Sequence, residues 1–179
     1  MDKNTILYWY EKYNREEDPK DKFCEKELGR KLRKSKELSK DDFIRLLRWK
    51  FSTYPARLKR ELNLVDRMSD SFIRTTIRDA LESEDESTRI ERLIELKGVK
   101  NAVASVILTF YDPKNYGIFD IHAWRELFGK EPKGFSSQKS CLVKFLTELR
   151  KMAVEYQLDV RMVEKALFKK HYDESKDSI

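Results

Sequence analysis

The chain has 179 residues, of which 39% are charged and 40% are hydrophobic, and it contains two cysteines. The hydrophobic residues are enough for a core, which indicates a folded protein. The charged content is well above the usual value of about 25%, which indicates a heavily solvated surface. The sequence lacks a cysteine pair at metal-ligand spacing and a long apolar run, so it gives no support to a zinc site, an iron–sulfur site or a membrane span.

The net charge is +6 and the isoelectric point is about 9.1. This balance leaves two interpretations open, a polyanionic partner or an ordinary solvated surface of lysine and glutamate. The polar amino terminus does not have the pattern of a signal peptide. We expect a soluble cytoplasmic protein with no membrane partner and no metal.

Helical spacing dominates the chain and strand-like alternation is scarce, so the sequence predicts an all-α protein. Ser39 and Ser69 are good N-caps, and Pro19 and Pro55 stand where proline favours the first turn of a helix. We expect helices over 4–13, 20–34, 41–51, 55–62, 72–81, 88–96, 101–110, 121–128, from 136 or 137 to 156, and over 160–170, with a frayed tail over 173–179. The polar stretch 82–87 is the weakest join, but it does not divide the chain, so we expect one unit over 1–179.

The segment 88–129 carries the most informative pattern in the chain. Helix 88–96 runs into Gly98, a residue suited to the positive φ at a helix end, and Asn101 stands where it can cap the next helix. Free N–H groups at the start of that second helix can bind a phosphate. On the turn alone, an ordinary helical hairpin is the simpler interpretation.

Asp120 follows this hairpin after one helix and a proline-containing loop. It stands where it can cap helix 121–128, a role that aspartate often fills. A fixed carboxylate can also stabilise positive charge that develops in a reaction. The two roles are compatible.

These residues resemble the helix-hairpin-helix (HhH-GPD) DNA glycosylase superfamily, whose signature is an L-P-G-V-G hairpin, a helix with small residues, a loop often containing proline, and an aspartate. The matching residues here are Leu96-Lys97-Gly98-Val99-Lys100, Ala104-Ser105, Pro113, Asp120, His122 and Trp124. The segment is most similar to the 8-oxoguanine glycosylase branch and to a broad group of prokaryotic members. The rest of the chain is compatible with the family without being specific to it.

The resemblance implies a two-lobed helical bundle that removes a flipped base from double-stranded DNA, with Asp120 as the catalytic carboxylate. It implies that a DNA phosphate binds to Lys97, Gly98, Val99 and Lys100. We add His122 to these phosphate-binding residues; its alternative role is a structural hydrogen bond. It implies no cofactor, although the hairpin could hold a monovalent cation. We expect a monomer associated with the nucleoid.

Two residues depart from the family pattern. Lys100 replaces the second hairpin glycine, and Ala102 stands where bifunctional members have a Schiff-base lysine, so we expect no β-lyase activity through the hairpin. The sequence therefore predicts a monofunctional DNA glycosylase. The alternatives are a catalytically inactive helix-hairpin-helix module that binds nucleic acid, and a helical interaction protein with a coincidental hairpin.

Three further groups of residues have two interpretations each. Trp49 and Lys50 can stack on and hydrogen-bond to a flipped base, or form a half-buried core tryptophan with a lysine that extends to solvent. The basic cluster after Pro55, made of Arg57, Lys59 and Arg60, can face DNA or be a solvated helix face. Trp124 and Phe128 are expected to pack in the core rather than to touch DNA.

Overall fold

The computed structural model describes residues 1–176, and within them the chain forms helices and no strands, which confirms the all-α prediction. The helices of this part of the chain are α1 (Lys3–Glu16), α2 (Pro19–Ser35), α3 (Lys40–Lys50), α4 (Pro55–Val65), α5 (Asp70–Glu82), α6 (Glu86–Ile94), α7 (Asn101–Tyr111), α8 (Ile121–Phe128), α9 (Lys139–Tyr156) and α10 (Val160–Lys176). None of them is long and apolar enough to cross a membrane.

Local sequence chemistry explains where several helices begin. The side chains of Ser39 and Ser69 accept hydrogen bonds from the backbone N–H groups of Asp42 and Phe72, which confirms both predicted caps. Asp85 does the same at the start of α6. The prolines that open α2 and α4 occupy first-turn positions, where the missing N–H costs no hydrogen bond.

Several helix bounds differ from the prediction; for example, α1 and α4 each continue three residues further than expected, to Glu16 and Val65. Helix α9 begins at Lys139, with Gln138 before it, rather than at residue 136 or 137. Helix α10 continues past residue 170 because Asp173 forms ion pairs with Lys12 of α1 and Lys169 of α10. The frayed tail was therefore wrongly predicted for residues 173–176, and residues 177–179 lie outside the described part of the chain.

Helices α7 and α10 organise the packing. Residues Val103–Phe110 of α7 are all buried, and the helix contacts α2, α3, α6 and α9. A helix that is buried on every side in this way belongs to the centre of the core. Helix α10 contacts α1, α8 and α9. The end of α3 and the start of α8 meet beside these two helices, and that junction holds the candidate site.

Candidate functional site

A cavity of about 690 Å³ opens beside the start of α8. Its walls include Asp120 and His122 from the family-like segment, and Trp49 and Lys50 from α3. Further aromatic side chains on its walls are Tyr13, Tyr54, Phe168 and Tyr172. Four residues that the sequence singled out in two separate segments thus line one cavity.

Asp120 caps α8 and faces this cavity. One carboxylate oxygen accepts a hydrogen bond from the His122 backbone N–H at 3.0 Å, and the other accepts one from Lys50 Nζ at 3.1 Å. Burial of Asp120 opposes ionisation, but the Lys50 ammonium and the His122 N–H together hold the pKa of Asp120 below its ordinary value. Asp120 is therefore an ionised carboxylate at neutral pH.

Ser105 of α7 fixes the backbone just before Asp120. Its hydroxyl accepts a hydrogen bond from the Phe119 N–H at 2.8 Å and donates one to the Ala102 carbonyl at 2.8 Å. Phe119 packs against the Trp124 ring, and both side chains are buried. The expectation that Trp124 belongs to the core is confirmed, and Phe128 packs beside it.

The cavity wall also contains a buried ion pair that the sequence analysis did not find. Arg161 of α10 hydrogen-bonds to Glu164 and, at 2.9 Å, to Glu25 of α2. Burial raises the pKa of Glu164, although Arg161 opposes that rise. The sequence did contain a signal for this pair: Arg161 and Glu164 are opposite charges three residues apart on a helix, and the residues between them, Met162 and Val163, are apolar.

His122 lies against a second histidine, for which the sequence offered no role. The Nδ1 atoms of His122 and His171 are 3.0 Å apart, so one ring accepts the hydrogen bond and is neutral there. Burial lowers the pKa of His122, which favours the neutral ring despite the Asp120 carboxylate nearby. Phosphate binding by His122 stays a prediction, and one of its two ring nitrogens is already engaged.

The turn between α6 and α7 has the backbone that the sequence predicts at Gly98, with a φ of +87°. Val99 is buried, whereas Lys97 and Lys100 are exposed. The buried carboxylate of Glu61 from α4 lies against Gly98, so a side chain at that position would meet it. One Glu61 oxygen has no hydrogen-bond partner within the described residues.

The predicted cap at the start of α7 is wrong. Asn101 is the first residue of α7, and its side-chain amide donates instead to the carbonyls of Phe135 and Gln138, at 3.0 and 2.8 Å. Its backbone N–H donates to the Ser136 carbonyl at 3.3 Å. The segment 135–138 thus takes up one of the N–H groups at the helix start that could bind a phosphate.

The basic cluster after Pro55 is only partly available to a ligand. The Arg57 guanidinium lies 4.3 Å from the centre of the Phe51 ring and forms an ion pair with Glu61. Arg60 hydrogen-bonds to the same carboxylate at 2.7 Å. Lys59 is exposed.

Acidic side chains are concentrated on one part of the cavity wall. Glu16, Glu17, Asp18 and Asp21 come from the end of α1 and the start of α2. Glu16 and Glu17 form ion pairs with Lys169 and Lys165, so the repulsion of a phosphate on this wall comes mainly from Asp18 and Asp21.

No protein-family model, curated protein or solved structure matches this chain. Within the described residues, no group of three or more histidine, cysteine, aspartate or glutamate side chains could hold a metal ion. Cys24 and Cys141 are free thiols.

Proposed function

We propose that this protein is a monofunctional DNA glycosylase that binds double-stranded DNA and hydrolyses the N-glycosidic bond of a flipped base. The observation that best supports this function is the ionised Asp120 carboxylate on the wall of an aromatic cavity, one helix and one loop beyond the Gly98 turn. The segment 88–129 would be its helix-hairpin-helix and catalytic unit, within a two-lobed bundle.

The proposed chemistry follows from the charge that develops when the bond breaks. The sugar acquires oxocarbenium character, and a preorganised carboxylate beside it lowers the barrier. Asp120 would supply that carboxylate, while Trp49 and the other aromatic rings of the cavity would stack on the extruded base.

The DNA backbone would contact the hairpin rather than the acidic wall of the cavity. Lys97 and Lys100 are exposed there, and Gly98 and Val99 complete the turn that would approach a phosphate, with or without a monovalent cation. His122 would contribute through its free ring nitrogen. The proposal includes a monomeric protein associated with the nucleoid.

The test is release of free base from duplex oligonucleotides that carry a panel of damaged bases. Asp120→Asn should reduce release at least about a hundredfold, the scale expected when one charge-stabilising group is lost. Asp85→Asn is the matched control, because Asp85 also caps a helix, through Thr88, but does not line the cavity. Equal activity of wild type and Asp120→Asn would rule out this mechanism.

One observation favours a second candidate, a catalytically inactive module that binds nucleic acid. Both carboxylate oxygens of Asp120 already have protein partners, as in a purely structural cap. This candidate predicts salt-sensitive DNA binding that persists in Asp120→Asn and no base release from any duplex. Absence of binding at low salt would exclude it.

A further inference from the structure

Helix α2 separates its charged side chains by sign. The two acidic residues beyond its first turn, Glu25 and Glu27, are both engaged by arginines of other helices. Glu25 accepts hydrogen bonds from Arg161 of α10 at 2.9 and 3.1 Å, and Glu27 accepts one from Arg45 of α3 at 3.1 Å. The negative charge of this part of α2 is therefore neutralised within the fold.

A row of exposed basic residues on α2 has no such partners. These residues recur every fourth position, so they lie along one side of the helix. No acidic residue of α2 is exposed between positions 22 and 34, and within the described residues no hydrogen bond or ion pair engages the side chains of this row. We call this row the α2 basic face, and its members are Lys22, Lys26, Arg30 and Lys34.

A groove of about 480 Å³ opens beside the α2 basic face, between α2 and the end of α3. The aromatic ring of Phe23 lies on its wall and is 58% exposed. Lys20 and Arg48 also line the groove, and in the part of the chain that the structure describes neither side chain has an ion-pair partner. Asp21 and Arg45 line it too, and their opposite charges offset each other. The groove thus combines an exposed aromatic ring with two unpaired cations.

The chemistry of this surface fits a nucleic-acid strand. The row from Lys22 to Lys34 is about 18 Å long at a rise of about 1.5 Å per residue, and a strand carries one phosphate per about 3.4 Å, so about five phosphates would lie beside the row. Every base also has an aromatic face that can stack on a ring such as Phe23, whereas an acidic peptide supplies carboxylates without bases. A membrane is a poorer fit, because Leu28 and Leu32 on the other side of α2 are buried in the core.

We propose that α2 binds single-stranded nucleic acid, with phosphates on the α2 basic face and an unstacked base on Phe23. A duplex presents no unstacked base, so the site favours a single strand. The inference goes beyond the proposed function, because neither Asp120 nor the hairpin takes part. Arg33 of α2 donates a hydrogen bond to the Phe110 carbonyl near the end of α7, at 2.8 Å. The hairpin adjoins the start of that helix, which has 11 residues and is therefore about 16 Å long.

The test measures the fluorescence anisotropy of a labelled oligothymidylate of about ten nucleotides, a length within the roughly 4–16 nucleotides of known single-strand sites. We expect the full chain to bind it in a salt-sensitive way, and more tightly than a duplex of the same length. An oligouridylate of equal length is the second probe, because phosphates and stacking bases are common to DNA and RNA. The tighter of the two identifies the sugar that the site prefers.

Charge variants test the α2 basic face. Lys26→Gln and Arg30→Gln should each lower the slope of log K against log salt by about 0.7, the value for one phosphate contact of a single strand. Lys151→Gln, which removes an equal charge from an exposed position of α9, should leave the slope unchanged. Lys97→Gln and Lys100→Gln should also leave it unchanged, because the hairpin is not part of this site. Thermal melting followed by circular dichroism checks that each variant is folded.

A variant of the aromatic ring tests the groove. Phe23→Ala should weaken binding of the oligothymidylate about tenfold, the scale of one lost base stack, without changing the salt slope. An oligomer of abasic nucleotides has no base to stack, so it should bind wild type and Phe23→Ala equally. Phe72→Ala, at an exposed phenylalanine of α5, is the matched control and should bind as the wild type does.

The outcomes separate this inference from the proposed function. Absence of single-strand binding at low salt would overturn it, as would a loss of binding in the hairpin variants but not in the α2 variants. Polyglutamate that displaces the oligonucleotide at equal charge concentration would also overturn it and indicate an acidic protein partner instead. Base release that fails in every duplex would count against the glycosylase, whereas single-strand binding that depends on Lys26, Arg30 and Phe23 would still support the site on α2.

Discussion

At the scale of single residues, Lys50 controls the charge of Asp120. Removal of the Asp120 carboxylate from water favours its protonated form, whereas a cation at 3.1 Å favours the ionised form. Two unit charges about 4 Å apart interact by about 4 kcal/mol at an effective dielectric constant near 20, which is enough to offset partial burial. The low pKa of Asp120 is therefore a property of the pair, and one substitution should remove it.

Lys50→Met should raise the pKa of Asp120, because burial would then act without an opposing cation. The titration of the Asp120 carboxyl carbon, followed by NMR, measures this pKa directly. Lys50→Arg is the control that retains the charge, and it should retain the low pKa. An unchanged titration in Lys50→Met would show that the His122 N–H alone holds the carboxylate ionised.

The same change has a consequence for stability. In the wild type, the pKa of Asp120 is lower in the folded chain than in the unfolded chain, so its contribution is present at neutral pH and is lost as the pH falls through the folded-state pKa. In Lys50→Met the folded-state pKa should lie above the unfolded value, and the contribution of Asp120 should then be lost as the pH rises. The difference in unfolding free energy between wild type and variant should therefore shrink as the pH is lowered from 7 to 4.

At the scale of elements, helix caps were predictable where their partners are local and were not where the partners are distant. Ser39 and Ser69 bind N–H groups three residues away, so the sequence around them contains the whole interaction. Asn101 binds carbonyls that lie 34 and 37 residues further along the chain. Only the folded chain brings those groups together, and the end of α10 was mispredicted for the same reason.

Ser105 shows the same limit. The sequence identified it only as a small residue that matches the family signature, whereas in the folded chain its hydroxyl accepts a hydrogen bond from the Phe119 N–H, one residue before Asp120. Both groups are buried. This contact connects the central helix to the candidate catalytic carboxylate.

Ser105→Ala should lower the unfolding free energy by about 1–3 kcal/mol, because it leaves a buried backbone donor without a partner. If the proposed function holds, base release should also slow through kcat more than through KM, since Asp120 would be less well placed. Ser35→Ala is the matched control, an exposed serine that bonds to its own helix, and it should change stability by less than about 0.5 kcal/mol. Urea denaturation measures both variants, and equal stability would contradict a structural role for the hydroxyl.

At the scale of the whole molecule, net charge and the placement of charge give different information. The chain carries +6, which favours a polyanionic partner only in general terms. The folded chain places four carboxylates from the junction of α1 and α2 on one wall of the cavity and leaves Lys97 and Lys100 exposed at the hairpin. The all-α class follows from the periodicity of apolar residues along the chain. The separation of acidic from basic residues in space depends on which helices meet, and it could not be predicted from composition.

DNA affinity should therefore depend on salt through the hairpin lysines. Each phosphate contact that is lost lowers the slope of log K against log salt by about 0.9 for duplex DNA, because fewer counterions are released on binding. Lys97→Gln and Lys100→Gln should each reduce the slope by that amount in fluorescence anisotropy titrations with any duplex sequence. Lys151→Gln, which removes an equal charge from α9, should leave the slope unchanged, and if all three variants behaved alike, the DNA contact could not be assigned to the hairpin.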